Sequence, residues 1–190
     1  MIRRQSHYRV RSVMVTIQAA ETAALSATLL RDIRSMLDNA FDGDFSDDDW
    51  RHATGGIHAW LLGPPGLISH GSLVQRTLVC SGHTLSAGYV EAVATATPHR
   101  RQGHGTTLMR YINHLIRERY ALGALSTDRP AFYESLGWEC WRGPTLVDTP
   151  LGRERTPDDD GGVMILSTSR TPRLDLDGEI VCDWRAGDAW

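Results

Sequence analysis

Gly88-Tyr-Val-Glu-Ala-Val-Ala-Thr-Ala-Thr-Pro-His-Arg-Arg-Gln-Gly-His-Gly105 runs without a break into Thr106-Thr-Leu-Met-Arg-Tyr-Ile-Asn-His-Leu-Ile116. The first part alternates like a strand and stops at Pro98, and the last part has the pattern of an amphipathic helix. Between them lies a short loop of Arg and Gly. Strand, ring of backbone N–H groups, helix N-terminus: that order suits the phosphates of a nucleotide-like ligand. It is not a Walker loop, which ends in Gly-Lys-Ser/Thr, and it is not Gly-x-Gly-x-x-Gly. A glycine turn before a helix is also a common plain turn. The rest of the chain decides between the two.

A chain of 190 residues is a usual size for one domain, and residues 1–190 are read as one. The formal net charge of −3 favours neither nucleic acid nor an anionic membrane as a partner. The charge is uneven, with basic spots at Arg3, Arg4, Arg9, Arg11, Arg100 and Arg101 and acidic blocks at 42–49 and 158–160. Cys80, Cys140 and Cys182 make neither a disulfide framework nor a metal pattern, and the eight histidines add no ligand set, so no metal is expected. A reduced, cytoplasmic setting follows from the cysteines. Residues 12–20 are broken by Thr and Gln and read as a strand rather than a signal peptide, and no run reaches the length of a membrane span.

Elsewhere, residues 10–17 are β-like. Residues 23–41 carry Leu29, Ile33, Met36, Leu37 and Ala40 at helical spacing. Ser46 with Asp49 looks like a capping box. Residues 57–62, 67–79 and 85–97 read as antiparallel strands with turns at Pro64-Pro-Gly66 and Ser81-Gly-His83. A helix over 103–119, a strand over 121–126, a short helix over 129–135 and a strand over 138–141 follow. Residues 144–160 read as a loop, 163–167 as a last strand, and the tail from 171 has no strong periodicity. The fold class expected is mixed α/β, with a mostly antiparallel central sheet and helices on both faces.

The spacing Arg100-x-x-Gly103-x-Gly105 resembles the pyrophosphate loop of the acetyl-CoA-dependent, GCN5-related N-acetyltransferase superfamily. Other segments resemble one branch of it, the aminoglycoside 2′-N-acetyltransferases. These are Ala40-Phe-Asp-Gly-Asp-Phe45, Asp49-Trp50, Gly55-Gly56, Gly88-Tyr-Val-Glu91, Leu122-Gly-Ala-Leu-Ser126, Arg155-Thr-Pro-Asp-Asp-Asp160 and Cys182-Asp-Trp-Arg-Ala-Gly-Asp188 with Trp190. The resemblance covers essentially the whole chain. Ala92 stands where the branch carries Gly, and the stretch between Ser126 and Tyr133 is shorter than in the mycobacterial type.

The resemblance implies a GNAT-like fold, acetyl-CoA as cosubstrate, and an amine of a cationic aminoglycoside or related amino sugar as acceptor. It places the cofactor on Val93, Ala94 and Thr95 and on the loop Arg100, Arg101, Gln102, Gly103, His104 and Gly105. There the helix dipole adds roughly 0.3–2 kcal/mol for an anion. It makes Glu91 the general base and Tyr133 the general acid toward the thiolate. A carboxylate within Tyr-Val-Glu-Ala-Val-Ala is itself unusual, although a solvent-facing strand residue would also account for it. For Tyr133 a place in the core is the competing account.

The acceptor is assigned to Asp44, Asp49, Glu91, Ala92, Ser126, Asp159, Asp188 and Trp190 with its carboxylate, because several fixed carboxylates suit a ligand with several ammonium groups. Asp47, Asp48, Asp158 and Asp160 read as a solvated face. His70, His99 and His104 read as ordinary core or surface residues. A homodimer is expected from the superfamily. Alternatives left open are another cationic acceptor, such as a cell-wall sugar, a thiol precursor or a polyamine, and a non-catalytic binder of cationic ligands on the same fold.

Overall fold

The computed structural model describes residues 4–10, 13–64 and 66–190. In chain order the elements are β1 (Arg4–Val10), β2 (Val13–Glu21), α1 (Ala27–Ala40), α2 (Asp47–Ala53), β3 (Ile57–Gly63), β4 (Gly66–Cys80), β5 (His83–Thr95), α3 (His104–Arg119), β6 (Leu122–Ser126), α4 (Pro130–Glu134), β7 (Glu139–Cys140), β8 (Thr145–Thr149), β9 (Gly152–Arg155), β10 (Val163–Ser167) and β11 (Ile180–Asp183). Short 3-10 turns occupy Thr22–Ala24, Thr97–His99 and Pro157–Asp159. The chain gathers into two compact units. One holds the described residues up to Val74 together with Val90–Ile112, and the other holds Gln75–Tyr89 with Asn113–Trp190.

In the first unit β1, β2, β3 and β4 pair in succession, all antiparallel, with Gln18 opposite Trp60 and Ala59 opposite Gly71. Helix α1 starts where the Ser26 hydroxyl accepts the Leu29 N–H. Such a cap contributes about 1 kcal/mol. Its buried side chains Ile33, Met36 and Leu37, three and four positions apart, pack with Phe45 and with Ala94 of β5. Burying each large apolar side chain contributes roughly 1.5–3 kcal/mol. Gly71 lets α3 come close: a Cβ there would stand 2.9 Å from the Ile112 Cδ1 atom.

In the second unit the chain turns from β4 into β5 through Ser81 and Gly82, both at positive φ. β5 runs parallel to β6 with Gly88 opposite Gly123, and β6, β10 and β7 follow antiparallel. β11 pairs antiparallel with β4 and parallel with β8, whose other neighbour is β9. Two tryptophans lock this unit, Trp138 by donating to Asn113 Oδ1 (3.0 Å) and Trp141 by donating to the Gly178 carbonyl (2.9 Å).

The mixed, mostly antiparallel α/β class is as expected. Five local expectations change. Residues 10–17 belong to two strands, β1 and β2, and residues 11 and 12 lie outside those described. The first helix begins only at Ala27, because the Ser26 cap takes the place of further helix and residues 22–24 form a 3-10 turn. The expected loop at 144–160 contains β8, β9 and a 3-10 turn. Every residue of β9 is exposed, so no apolar alternation marked it. The tail contains β11, four residues long and too short for its period to register. The strand expected at 138–141 shrinks to two residues.

Candidate active site

The phosphate-loop residues lie in the first unit. Arg101 has φ +58 and Gly103 φ +87, so two left-handed residues curl the chain just before α3. Thr107 N–H bonds back to the Gly103 carbonyl at 3.0 Å, which leaves the N–H groups of His104, Gly105 and Thr106 ahead of the first intrahelical bond. Three consecutive outward donors at the positive end of a 16-residue helix fit a diphosphate. Arg100 braces the loop. Its guanidinium donates to the Thr95 carbonyl (3.2 Å) and the Ala40 carbonyl (2.8 Å). Gln102 donates to the Pro98 carbonyl at 3.0 Å. The His104 ring is buried and meets the His99 ring edge to face, with their centroids 6.0 Å apart, and burial lowers its pKa.

Glu91, Ala92, Val93, Ala94 and Thr95 form the end of β5, all partly exposed except buried Ala94. Ala92 adopts φ +51, a left-handed kink inside a strand. Side chains of β4 serve the carbonyls around it: Ser72 Oγ donates to Glu91 O (3.3 Å), His70 Nδ1 lies 3.1 Å from Ala92 O, and Ser69 Oγ donates to Ala94 O (2.7 Å). In the same unit Asp44 sits exposed in the turn after α1, its N–H bonded to the Phe41 carbonyl. The capping box forms as expected. Asp49 Oδ2 takes both the N–H and the hydroxyl of Ser46 at 2.8 Å, so one of its oxygens is already committed. Arg34 holds this turn by donating to Asp38 (2.7 Å), Asp47 (2.9 Å) and Phe45 O (3.1 Å).

The second unit brings Ser126, Asp159, Asp188 and Trp190 into one neighbourhood. Ser126, exposed at the end of β6, pairs with Val163, and a Cβ on Gly162 would stand 3.4 Å from both Ser126 Oγ and Asp159 O. The Asp159 pKa is raised, chiefly by burial and further by Asp188. Trp190 is buried and its indole donates to Thr156 Oγ1 at 3.1 Å. Buried Arg76 donates to the Ala189 carbonyl and to Asp183 and fixes the approach to that corner. Tyr133, on α4, is packed between the rings of Phe132 (4.9 Å) and Trp138 (6.0 Å). Its hydroxyl pKa is pushed up to about 12, first by burial and then by Asp128. That hydroxyl therefore keeps its proton at neutral pH.

Residues 24–141 match the acetyltransferase (GNAT) domain family. Over 182 residues the chain is 42% identical to the aminoglycoside 2′-N-acetyltransferase of Mycolicibacterium fortuitum, an alignment covering 94% of this chain and 93% of that protein. The chain belongs to the aminoglycoside 2′-N-acetyltransferase branch of the GNAT acetyltransferases. As a GNAT protein it is an acyltransferase, and solved structures share its fold. The GNAT family acetyltransferase of Brucella melitensis, solved in complex with acetyl-CoA, superposes with a TM-score of 0.57 at 13% identity, over 90% of this chain and 96% of that one. The GCN5-related N-acetyltransferase of Kribbella flavida gives 0.55 at 20% identity, over 67% of this chain and 34% of that one. This chain thus spans about a third of the Kribbella protein.

The GNAT match takes in Asp44, Asp49, Glu91 to Gly105, Ser126 and Tyr133, whereas Asp159, Asp188 and Trp190 lie beyond it. Sequence reading missed Ser69, Ser72 and Thr156, and it took His70 for an ordinary residue. One signal was available. Ser69-His70-Gly71-Ser72 is a polar run in the middle of a strand, and all four residues are buried. Among the described residues no helix is long and apolar enough to cross a membrane.

Proposed function

We propose that this GNAT acetyltransferase moves the acetyl group of acetyl-CoA onto the 2′-amino group of a cationic aminoglycoside, by direct attack of the amine in a ternary complex, and so confers aminoglycoside resistance. The observation that carries the reading is the 42% identity over 94% of the chain to an aminoglycoside 2′-N-acetyltransferase. The neighbourhood of Asp159, Asp188 and Trp190 supports a cationic acceptor, because two carboxylates that oppose each other's charge are relieved by an ammonium group.

Acetyl-CoA supplies an acyl group activated as a thioester. The N–H groups of His104 and Gly105, with the loop from Arg100 to Gly103, hold its phosphates, and the main chain of Val93, Ala94 and Thr95 runs along its arm and polarises the acyl oxygen. Glu91 takes a proton from the acceptor ammonium through a water, which frees the nitrogen lone pair. The nitrogen then forms a C–N bond to the acyl carbon, the C–S bond breaks, and the acylated nitrogen sheds its second proton to solvent. Tyr133 donates its hydroxyl proton to the departing thiolate and recovers one from solvent. Asp44, Asp49, Asp159, Asp188 and Trp190 bind acceptor ammonium groups, Ala92 lines the same approach, and Ser126 meets a sugar hydroxyl.

The 24–141 match runs through both compact units, which supports a single N-acetyltransferase domain over residues 1–190. The buried free thiols of Cys80 and Cys182 support a reducing, cytoplasmic setting. A homodimer completes the reading on the family resemblance.

The test is thiol release from acetyl-CoA by purified protein, with acceptors that carry or lack a 2′-amino group. Release with the first group alone is expected. Release with neither, or equally with both, would overturn the 2′-amino assignment. A screen over amino sugars, thiol precursors and polyamines would then identify the acceptor.

A further inference from the structure

A chain of side-chain hydrogen bonds in the first unit ends on the carbonyl oxygen next to Glu91. Thr22 Oγ1 accepts the Gly55 N–H at 3.0 Å and lies 3.0 Å from His58 Nε2. His58 Nδ1 lies 2.9 Å from His70 Nε2, and His70 Nδ1 lies 3.1 Å from Ala92 O. Both imidazoles are fully buried.

The proton positions follow from the carbonyl end. A carbonyl oxygen only accepts, so His70 carries its proton on Nδ1. A ring with one proton then presents a lone pair at Nε2, which must receive the Nδ1–H of His58. His58 Nε2 is in turn an acceptor and takes the Thr22 hydroxyl proton. The Gly56 carbonyl, also 3.0 Å from that hydroxyl, keeps the Thr22 backbone N–H at 2.8 Å. One direction of donation runs through the whole chain. Burial favours the uncharged form of both rings, and for His70 the neighbouring His58 adds to this.

The far end of this chain is a strained point. An L-residue in the left-handed region costs about 1–2 kcal/mol, and such a conformation persists only where its surroundings hold it. Ala92 is in that region, and its φ governs how the chain turns between Glu91 and Val93. His70 supplies the N–H that its carbonyl requires.

We propose that His58 and His70 are positioning residues for acetyl transfer: locked as Nδ1–H tautomers between Thr22 and Ala92, they hold the left-handed kink that sets the aim of Glu91. The proposal rests on Glu91 being the general base. His58 does not touch Ala92 and acts through His70. Without the His58 donor, His70 is free to move its proton to Nε2, which turns a lone pair toward the Ala92 oxygen and expels it from its place.

Nitrogen-15 NMR of histidine-labelled full-length protein reads the tautomers directly. Both His58 and His70 should show a protonated Nδ1 and a bare Nε2. An Nε2–H tautomer at His70 overturns the relay, whether or not the protein is active. The kinetic arm uses His58→Leu, which removes the donor, and His58→Asn, which keeps an N–H near the Nδ1 position. His58→Leu should lower kcat by roughly 10-fold to 10²-fold, the scale of a misplaced catalytic group. KM for acetyl-CoA should stay within about twofold, a split that general loosening of the fold does not produce. His58→Asn should restore most of the rate.

An unchanged kcat in His58→Leu, or an equal loss in both variants, overturns the positioning role. Should His58→Leu fail to fold, Thr22→Val removes only the hydroxyl at the start of the chain. It should mix the His70 tautomers and lower kcat, and a single Nδ1–H tautomer with full kcat overturns the relay. Wild-type protein that is inactive on every aminoglycoside but shows both Nδ1–H tautomers counts against the acceptor and Glu91 assignments, and with them the positioning role, and leaves the relay standing.

Discussion

The indole N–H of Trp190 donates to Thr156 Oγ1 at 3.1 Å, which ties residue 190 to the turn that carries Asp159. The Thr156 hydroxyl also meets Thr145 Oγ1 at 2.9 Å and bonds the Asp159 side chain. A buried aromatic ring therefore fixes one carboxylate of the proposed acceptor site, and Arg76, through Ala189 and Asp183, fixes the chain around the other, Asp188.

Asp188→Asn removes one charge from this corner and leaves the Trp190 ring in place. Losing a charge-assisted bond costs roughly 1.5–3 kcal/mol, or about one to two decades in affinity. Acceptor KM should rise by that factor while KM for acetyl-CoA holds. Trp190→Ala should weaken the acceptor too, but with a lowered Tm, since it empties a buried site. Acceptor affinity unchanged in Asp188→Asn would show that Asp188 serves only the tail.

The phosphate loop separates its two glycines. Gly103 has φ +87, which a side chain rarely adopts, whereas Gly105 lies in the first turn of α3 without a positive φ. Gly103→Val should raise KM for acetyl-CoA by at least a decade and leave acceptor KM nearly unchanged. Gly105→Val should do less through backbone strain and act by crowding the ligand. Steady-state kinetics with both substrates varied checks this. Equal rises in both KM values for Gly103→Val would mean a misfolded loop.

The elements that sequence revealed are those with a long period, a chemical signature or an unbroken apolar run. Strand β5, the Arg-Gly loop and α3 were legible because a strand period changes to a helix period across a marked loop. The Ser46–Asp49 capping box was legible from its spacing alone. Strands β8, β9 and β11 were not: β9 buries none of its side chains, and β8 and β11 bury only three residues each, against the four consecutive buried residues that made the equally short β6 and β10 legible. Among candidate site residues, Asp159, Asp188 and Trp190 were named from resemblance, and their proximity is a product of tertiary folding. The His58–His70 contact bridges adjacent strands β3 and β4, 12 residues apart, and no local pattern encodes it.

Ala92→Gly tests the kink directly. Glycine relieves the left-handed penalty of about 1–2 kcal/mol but adds about 0.4–1 kcal/mol of unfolded-chain entropy. The variant should be more stable by roughly 0.5–1 kcal/mol, read as a higher denaturant midpoint at constant m. Activity should be retained, since glycine adopts the same left-handed backbone without strain. A clear loss of stability would mean that the Ala92 methyl, which packs against the α1 cluster, outweighs its backbone strain.

The same histidines set an acid limit on stability. His58 is lowered to about 4, by burial, and His70 is lowered for the same reason with His58 adding to it. His104 is lowered as well. In the unfolded chain each takes up a proton near pH 6.5. Below that value the unfolded state binds more protons than the native state, so stability rises with pH through this window and levels off above it. His58 and His70 each contribute a slope of up to about 1.4 kcal/mol per pH unit between 6.5 and their folded values. Asp160, held low by Arg155 and Thr145, acts in a separate window, since its contribution is lost only below the ordinary carboxylate range. Urea unfolding at pH 7.5, 6.5, 5.5 and 4.5 should therefore show a level upper limb and a steep fall beneath pH 6.5. His58→Asn should make that fall shallower. A stability that stays flat from pH 7.5 to 4.5 would mean that the rings ionise in the folded protein as freely as in the unfolded chain, and that their burial is not maintained in solution.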